Sequence, residues 1–512
     1  MAKKATTSKR GAAKVPAGKK KATKKAVARP AGKQVAKKKE TKKKMTKKSA
    51  AKKIAKKKTT RKAAPRAAAG KAPATTTRRT ATRPIVDPVI LAAWRMERQG
   101  LDQQVLHAPR DLAEAVGRTG WLAAADGLTP YLALAARYTS FGRHDLDRDL
   151  YKEGTLMEMP AARGLLRLVP VSEAWLALQT FRPRVDALLK ELLSRHRLMT
   201  RAGLANLEDV VRAVLAGQAL PVETLRTRVP QRLVKELGAA GARHGLATTV
   251  DLALWHLWSA GEVISRPVER RLDRRRREYV LRRDLQGPML TADIRMRPQD
   301  EWLRTLAARY LQWVGMARAE DLAWWADVTP AEARTAIGEL DLQPVTVAGL
   351  KGIWYQHAGD HESLMEFRLP DVPGVCLAPA GDLLTSSWRS FEGLMAPEDL
   401  AQPLAVGGAG HDRSASAQQA GQHFVIVGGR VAGSWEQKPD RVLKFSTFRP
   451  QGTEVSQRLR RRAAALAAFI HRELDGPDPG SAGDKGSSSL ADASTFKGEV
   501  QGVLGGRVDP GR

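Results

Sequence analysis

The 512-residue chain has a formal net charge of +34, and residues 1–84 hold 32 Lys and Arg against one acid, Glu40, leaving 55 basic and 52 acidic residues for the rest. A single cysteine, Cys376, excludes an intramolecular disulfide framework and any cysteine-built zinc cage. No run of about 18 apolar residues occurs, so a transmembrane helix is not expected.

Residues 1–84 repeat degenerate Lys-Lys-Ala units, as in KKKETKKKMTKKSAAKKIAKKK, and contain no aromatic residue. Such a segment has too little apolar surface to offset the entropy of ordering, and its charges repel one another. It is expected to be disordered when free. The absence of an apolar run behind the first positive charges argues against a secretory signal. Lysines such as Lys42, Lys43, Lys44, Lys56, Lys57 and Lys58 suit a histone-H1-like arm on nucleic acid, sequence-blind and salt-sensitive. A solubilising extension and a polybasic arm on anionic lipid are the alternatives.

Folded sequence begins near Ile85 with the amphipathic stretch VILAAWRMERQGL. Helical segments followed by a strand pair then recur. Residues 85–199 hold a weaker copy, roughly 85–175, in which helices precede TLMEMP and LLRLVP, two short strands around AARG. Residues 200–290 carry a helix capped by Thr248 and Asp251, then the basic hairpin RPVERRLDRRRREYVL. The pattern is clearest in 291–372. There Thr329, Pro330 and Glu332 supply an N-cap, a proline at N1 and a capping box, with Ala333, Ala336, Ile337 and Leu340 on one face. The strands QPVTV and GIWYQ follow. Helix, turn, helix, hairpin is the order of a winged helix. Residues 373–475 read as a small antiparallel β domain, with Gly428-Gly429 splitting two apolar runs. Residues 476–512 are flexible by composition. The expected fold is α+β: tandem winged-helix domains, then a small antiparallel β domain, behind a disordered basic tail.

No GxxxxGK(S/T), strand-bound GxGxxG, GxSxG or histidine pair at metal spacing is present, so no cofactor and no metal are expected. Arg270, Arg271, Arg274, Arg275, Arg276 and Arg277 lie on the second predicted wing. Planar guanidinium forks suit phosphate oxygens, and a wing can lie along a groove of duplex DNA. The competing reading is a solvated hairpin neutralised by Glu269, Asp273 and Glu278. Residues 330–340 expose Glu332, Arg334 and Glu339, a poor surface for base reading.

Several motifs, in this order, resemble the AlkZ-like, YcaQ-related family of bacterial winged-helix proteins, which includes DNA glycosylases. They are GWLAAADGLTPYLALAAR, DLDRDLYKEGTLMEMPAARGLLRLVP, RYLQWVGMARAEDLAWWADV, LAPAGDLLTSSWRSFEG with Asp382, and FVIVGGRVAGSW. The resemblance covers roughly 90 to 470. It implies double-stranded DNA as partner, contacted through phosphates, without a membrane or a small-molecule cofactor. It also implies a Gln-x-Gln or Gln-x-Asp motif that positions the water attacking the sugar carbon. The matching positions here are Ala123 and Ala125, whose methyl groups can neither orient water nor stabilise an oxocarbenium-like centre. Asp126, one position further on, is a stand-in base or a structural cap; one helical step swings a side chain by about 100°. The expected function is DNA binding at a bacterial cytoplasmic nucleoid by a non-catalytic or damage-sensing family member. A glycosylase that excises alkylated purines, and a nucleoid architectural protein, are the alternatives.

Overall fold

The computed structural model describes residues 83–102, 111–124, 126–196, 199–274, 276–402, 405–406, 410–411, 422–437, 442–475 and 501–504. The expectations for the lysine tail, including Lys42–Lys44 and Lys56–Lys58, and for Ala125 and Arg275 fall outside these residues.

One succession of elements occurs twice in full. In the first instance, helix Leu112–Thr119 leads to the short strand Leu122–Ala123, helices Thr129–Arg137 and Arg143–Tyr151, and strands Leu156–Pro160 and Leu166–Pro170. The short strand pairs with the second arm of the hairpin, which lies at the centre of its sheet. The second instance runs through helix Arg201–Leu215, strand Leu220–Pro221, helices Val222–Arg228 and Thr249–Ser259, and strands Val263–Pro267 and Arg277–Leu281, with the same strand adjacency. A third set, helices Gln299–Val314, Ala319–Ala326 and Pro330–Gly338 with strands Leu342–Val347 and Trp354–His357, replaces the short strand with a single bridge from Ala317 to Tyr355. Ile85–Val86 extends this last sheet in parallel.

Local chemistry accounts for the helix starts. The Thr248–Asp251 and Thr329–Glu332 pairs both form capping boxes, satisfying backbone N–H groups that lack helical partners. Thr329 also precedes a proline, which fits the first helical position because its missing N–H is not needed there.

The C-terminal sheet runs Val375–Ala378, His423–Val427, Arg430–Gln437, Leu443–Thr447, all antiparallel. Gly428 and Gly429 have φ of 55° and 78°, the left-handed pair that matches the twist of a two-residue hairpin. Two differences from expectation appear here. Residues Thr453–Phe469 form a long helix, because Val455, Leu459, Ala463, Leu466 and Phe469 recur at helical spacing and are buried against the sheet. Within the stretch expected to be flexible, Gln501–Leu504 pairs in parallel with Leu443–Thr447, covering an edge that would otherwise leave backbone groups unpaired.

The second helix–hairpin set has its own core, from Phe181 and Leu204 to Val263 and Leu281. The first set instead shares its interior with its neighbours. Trp121 packs on Trp313 and Trp325 of the third set. Tyr131 and Phe141 belong to a core with Phe445, Leu459 and Phe469 of the C-terminal region. The first set therefore sits at the junction of the other parts.

Candidate functional site

Strand Leu122–Ala123 pairs with Leu168 and Arg167, and the chain then turns sharply. The Ala124 N–H donates to the Leu166 carbonyl, and the Gly127 N–H to the Ala124 carbonyl. Gly127 has φ of +73°, and a Cβ there would lie 2.1 Å from the Leu272 carbonyl oxygen. Ala123 is half-buried, and its methyl faces Gly381, where an added Cβ would stand 3.0 Å away. Position 123 offers a ligand no polar side-chain group.

Asp126 is exposed and caps the helix that follows. Its Oδ1 accepts from the N–H groups of Leu128 at 3.0 Å and Thr129 at 2.8 Å. The Thr129 hydroxyl lies 2.7 Å from Asp126 Oδ2 and 2.8 Å from the Ala380 carbonyl, so it joins the turn to the 379–382 loop.

Across that loop stands His423, a residue that no spacing in the sequence singles out. Its ring stacks on Trp435 with centroids 4.1 Å apart. Its Nδ1 accepts the Ala380 N–H at 2.9 Å. A backbone N–H can only donate, so Nδ1 carries the lone pair and the neutral ring carries its proton on Nε2. Burial lowers the His423 pKa, against the opposing field of the Asp126 carboxylate. Among the described residues Nε2 has no partner, and it is not among the buried unpaired polar atoms.

Asp382, the acid of the LAPAGD motif, braces this arrangement from behind. It is buried, pairs with Arg137 through contacts of 2.7 and 3.2 Å, and accepts the Leu384 N–H. Burial opposes the Arg137 charge, but Asp382 outweighs it and the guanidinium pKa is raised. Arg137 also donates to the carbonyls of Gln99 and Ala133. Both oxygens of Asp382 are committed to holding the loop.

The arginine-rich hairpin packs directly on the Asp126 turn. Leu272 at its tip is 4 % exposed, and its N–H donates to Tyr131 Oη at 3.0 Å. Three arginines of the expected phosphate-binding wing make close contacts within the protein. Arg271 is 1 % exposed, forks onto Asp273 at 3.0 and 2.7 Å, and donates to the Leu474 carbonyl. Arg277 grips the buried Glu158 at 3.1 and 2.6 Å. Arg270 donates to Glu278 at 2.7 Å, a carboxylate it shares with Arg266. Charges withdrawn from water need counter-charges at close range, and these carboxylates supply them. Arg274 and Arg276 remain exposed, and neither has a side-chain partner among the described residues.

The last helix before each hairpin is also occupied internally. The Arg143 guanidinium pairs with Asp147 and donates to the Glu473 carbonyl, its backbone N–H donates to the Glu473 carboxylate, and Asp147 accepts from Tyr131. Asp251 holds Arg226, and His256 holds Glu208. Glu332 serves its own capping box, and Arg334 meets Glu320. Exposed cations without a side-chain partner among the described residues also include Arg460 and Arg461, on helix Thr453–Phe469. No group of three His, Cys, Asp or Glu placed to hold a metal ion occurs among the described residues. None of the described helices is long and apolar enough to cross a membrane.

No curated protein matches the chain. Among solved structures, Streptomyces sahachiroi DNA glycosylase AlkZ matches with a TM-score of 0.58 at 22% identity, over 76% of this chain and 98% of that one. At that identity the likeness speaks for the fold. The family described as DNA glycosylase AlkZ-like matches residues 116–469, from the end of helix Leu112–Thr119 to the end of helix Thr453–Phe469. The match includes the Asp126 turn, the arginine hairpin, the Asp382 brace and the strand that bears His423, and the chain belongs to the AlkZ-like family.

Proposed function

We propose that this protein binds double-stranded DNA through its phosphates and senses a damaged base without excising it efficiently. Each helix–hairpin set is taken as a winged helix used as scaffold, since its last helix is committed to internal contacts. Phosphate contacts are assigned to exposed, unpaired arginines, Arg274, Arg276, Arg460 and Arg461 among them, with the lysine tail of residues 1–84 as a sequence-blind arm that retains the protein on the nucleoid.

One observation carries the sensing reading: the Ala123 methyl lies against Gly381, and the Asp126 oxygens are engaged at a helix start. Hydrolysis of an N-glycosidic bond passes through an oxocarbenium-like centre that needs an acceptor beside the anomeric carbon. A methyl group stabilises no positive charge. The second reading, an active glycosylase, is supported by the solvent exposure of Asp126, whose carboxylate keeps lone pairs free despite its cap.

The two readings separate in one assay: base release from a duplex carrying an N7-alkylated purine, beside binding to the same duplex. Binding with release no faster than the spontaneous rate is the expected result. Efficient release that Asp126→Asn abolishes, with fold and binding retained, overturns it and makes Asp126 the catalytic base.

A further inference from the structure

We propose that His423 and Asp126 form a donor–acceptor pair that reads the edge of an unstacked nucleobase, a proposal that rests on the DNA-binding reading above. Three features of the structure support it. First, the orientation of His423 is fixed. Its ring is pressed on Trp435 and its Nδ1 is occupied by the Ala380 N–H, so the side chain presents a single group outward, the Nε2–H donor. Second, one loop joins the two residues, and the Asp126 charge is near enough to act on the His423 ring. Ala380 contacts His423 through its N–H and Thr129 through its carbonyl, and Thr129 contacts Asp126. Third, the surroundings suit a flat, partly apolar ligand. Leu128, two residues after Asp126, is 38 % exposed and offers an apolar surface near the carboxylate. The docked hairpin adds the exposed Arg274 and Arg276, which flank Arg275 in the chain, close to the Leu272 that covers Gly127.

The His423 donor and the lone pairs that the Asp126 carboxylate keeps free together fit a planar group that offers an acceptor next to a donor. Every nucleobase has such an edge: a ring nitrogen or carbonyl beside an amino or imino N–H. The same edge is consumed by pairing in an intact duplex, so only an extruded or unpaired base can present it. An apolar side chain at the floor and guanidinium groups toward the backbone would complete the recognition of such a nucleotide. His423 acts here as a donor only. Its Nδ1 lone pair is already used, so the ring is not a general base.

The test compares the full chain binding two DNA duplexes of equal length, one fully matched and one with a single unpaired base, by fluorescence anisotropy. The wild type should prefer the unpaired base. His423→Phe keeps a ring on Trp435 but removes the donor; it should lower that preference roughly three- to tenfold, the effect of one net hydrogen bond, and leave matched-duplex affinity unchanged. His423→Gln retains an amide N–H and should keep more of the preference than His423→Phe; this second variant also decides the matter if phenylalanine perturbs the fold. A folded His423→Phe protein with undiminished preference overturns the pair, as does a folded His423→Gln protein that has lost the preference altogether, or a wild type that binds both duplexes equally. A wild type that binds neither duplex overturns the DNA-binding reading itself.

Discussion

Two stretches of this chain look alike on paper and differ in three dimensions. Residues 266–277, RPVERRLDRRRR, and residues 458–462, RLRRR, are the densest arginine runs beyond the tail. In the first, Arg266 and Arg270 share Glu278, Arg271 forks onto Asp273, and Arg277 holds Glu158. In the second, Arg458 meets Glu454, while Arg462 is partly buried, its pKa lowered by burial, and reaches only the Asp102 carbonyl. Arg460 and Arg461 face solvent with no partner among the described residues. The richer cluster serves to join the hairpin to the first helix–hairpin set. Among the described residues the poorer run leaves as many exposed, unpaired arginines, Arg460 and Arg461, as the richer one, Arg274 and Arg276. Positive charge density therefore says little about where a polyanion binds unless the counter-charges within reach are known.

The sharpest way to break this contrast is Arg277→Met. It strands the Glu158 carboxylate in a buried site, where burial already pushes its pKa up. Loss of one partner of a buried pair costs about 3–5 kcal/mol, so chemical denaturation should show a large loss of stability. DNA affinity measured below the transition should stay unchanged. A fall in affinity without a fall in stability would instead mean that this arginine touches DNA.

Gly127→Val addresses the docking of the hairpin. The substitution places a Cβ 2.1 Å from a backbone carbonyl at a φ of +73°. Strain and overpacking of this kind cost about 1–3 kcal/mol each. The hairpin should lift from the turn, and limited proteolysis should cut within 268–276 faster than in the wild type. Equal cleavage rates would show that the turn and the hairpin are not mutually supported.

The Arg460→Ala, Arg461→Ala double variant tests the other run. For every phosphate no longer neutralised, the slope of log K against log salt flattens by about 0.9, so a change of roughly 2 is expected if both arginines touch DNA. Stability should hardly move, since neither side chain is buried. An unchanged slope would leave Arg274 and Arg276 as the exposed cations to test next.

The smallest effect concerns pH. The folded pKa of His423 lies below its ordinary value because burial disfavours the charged ring. The folded state then binds fewer protons than the unfolded state, so this contribution is present above the ordinary histidine range and is lost as pH falls through the folded value. Thermal unfolding between pH 7 and pH 5 should show part of the acid destabilisation disappear in His423→Phe. The same slope in variant and wild type would show that the ring is not held neutral.

Much of the architecture was legible because it is local. The capping boxes at Thr248 and Thr329, the strands around AARG, and the Gly428-Gly429 hairpin each need only neighbouring residues to form. Helix Thr453–Phe469 has a legible period too, but it follows directly on strand signals that favour β structure. The separation of a basic tail from a near-neutral remainder is composition alone. So is the loss of polar side chains at positions 123 and 125, which no packing can restore.

The fate of the individual side chains belonged to the tertiary structure. Asp126 and His423 meet through a loop far from both in the chain, and Arg277 finds Glu158 across two helix–hairpin sets. Partnerships of that kind leave no spacing in the sequence, because a chain closes long loops at a cost that grows only slowly with their length. Any carboxylate in the molecule was a possible partner for the hairpin arginines. Secondary structure follows from neighbours a few residues apart, so it can be read in one dimension; charge neutralisation follows from proximity in space, and only the folded chain brings those partners together.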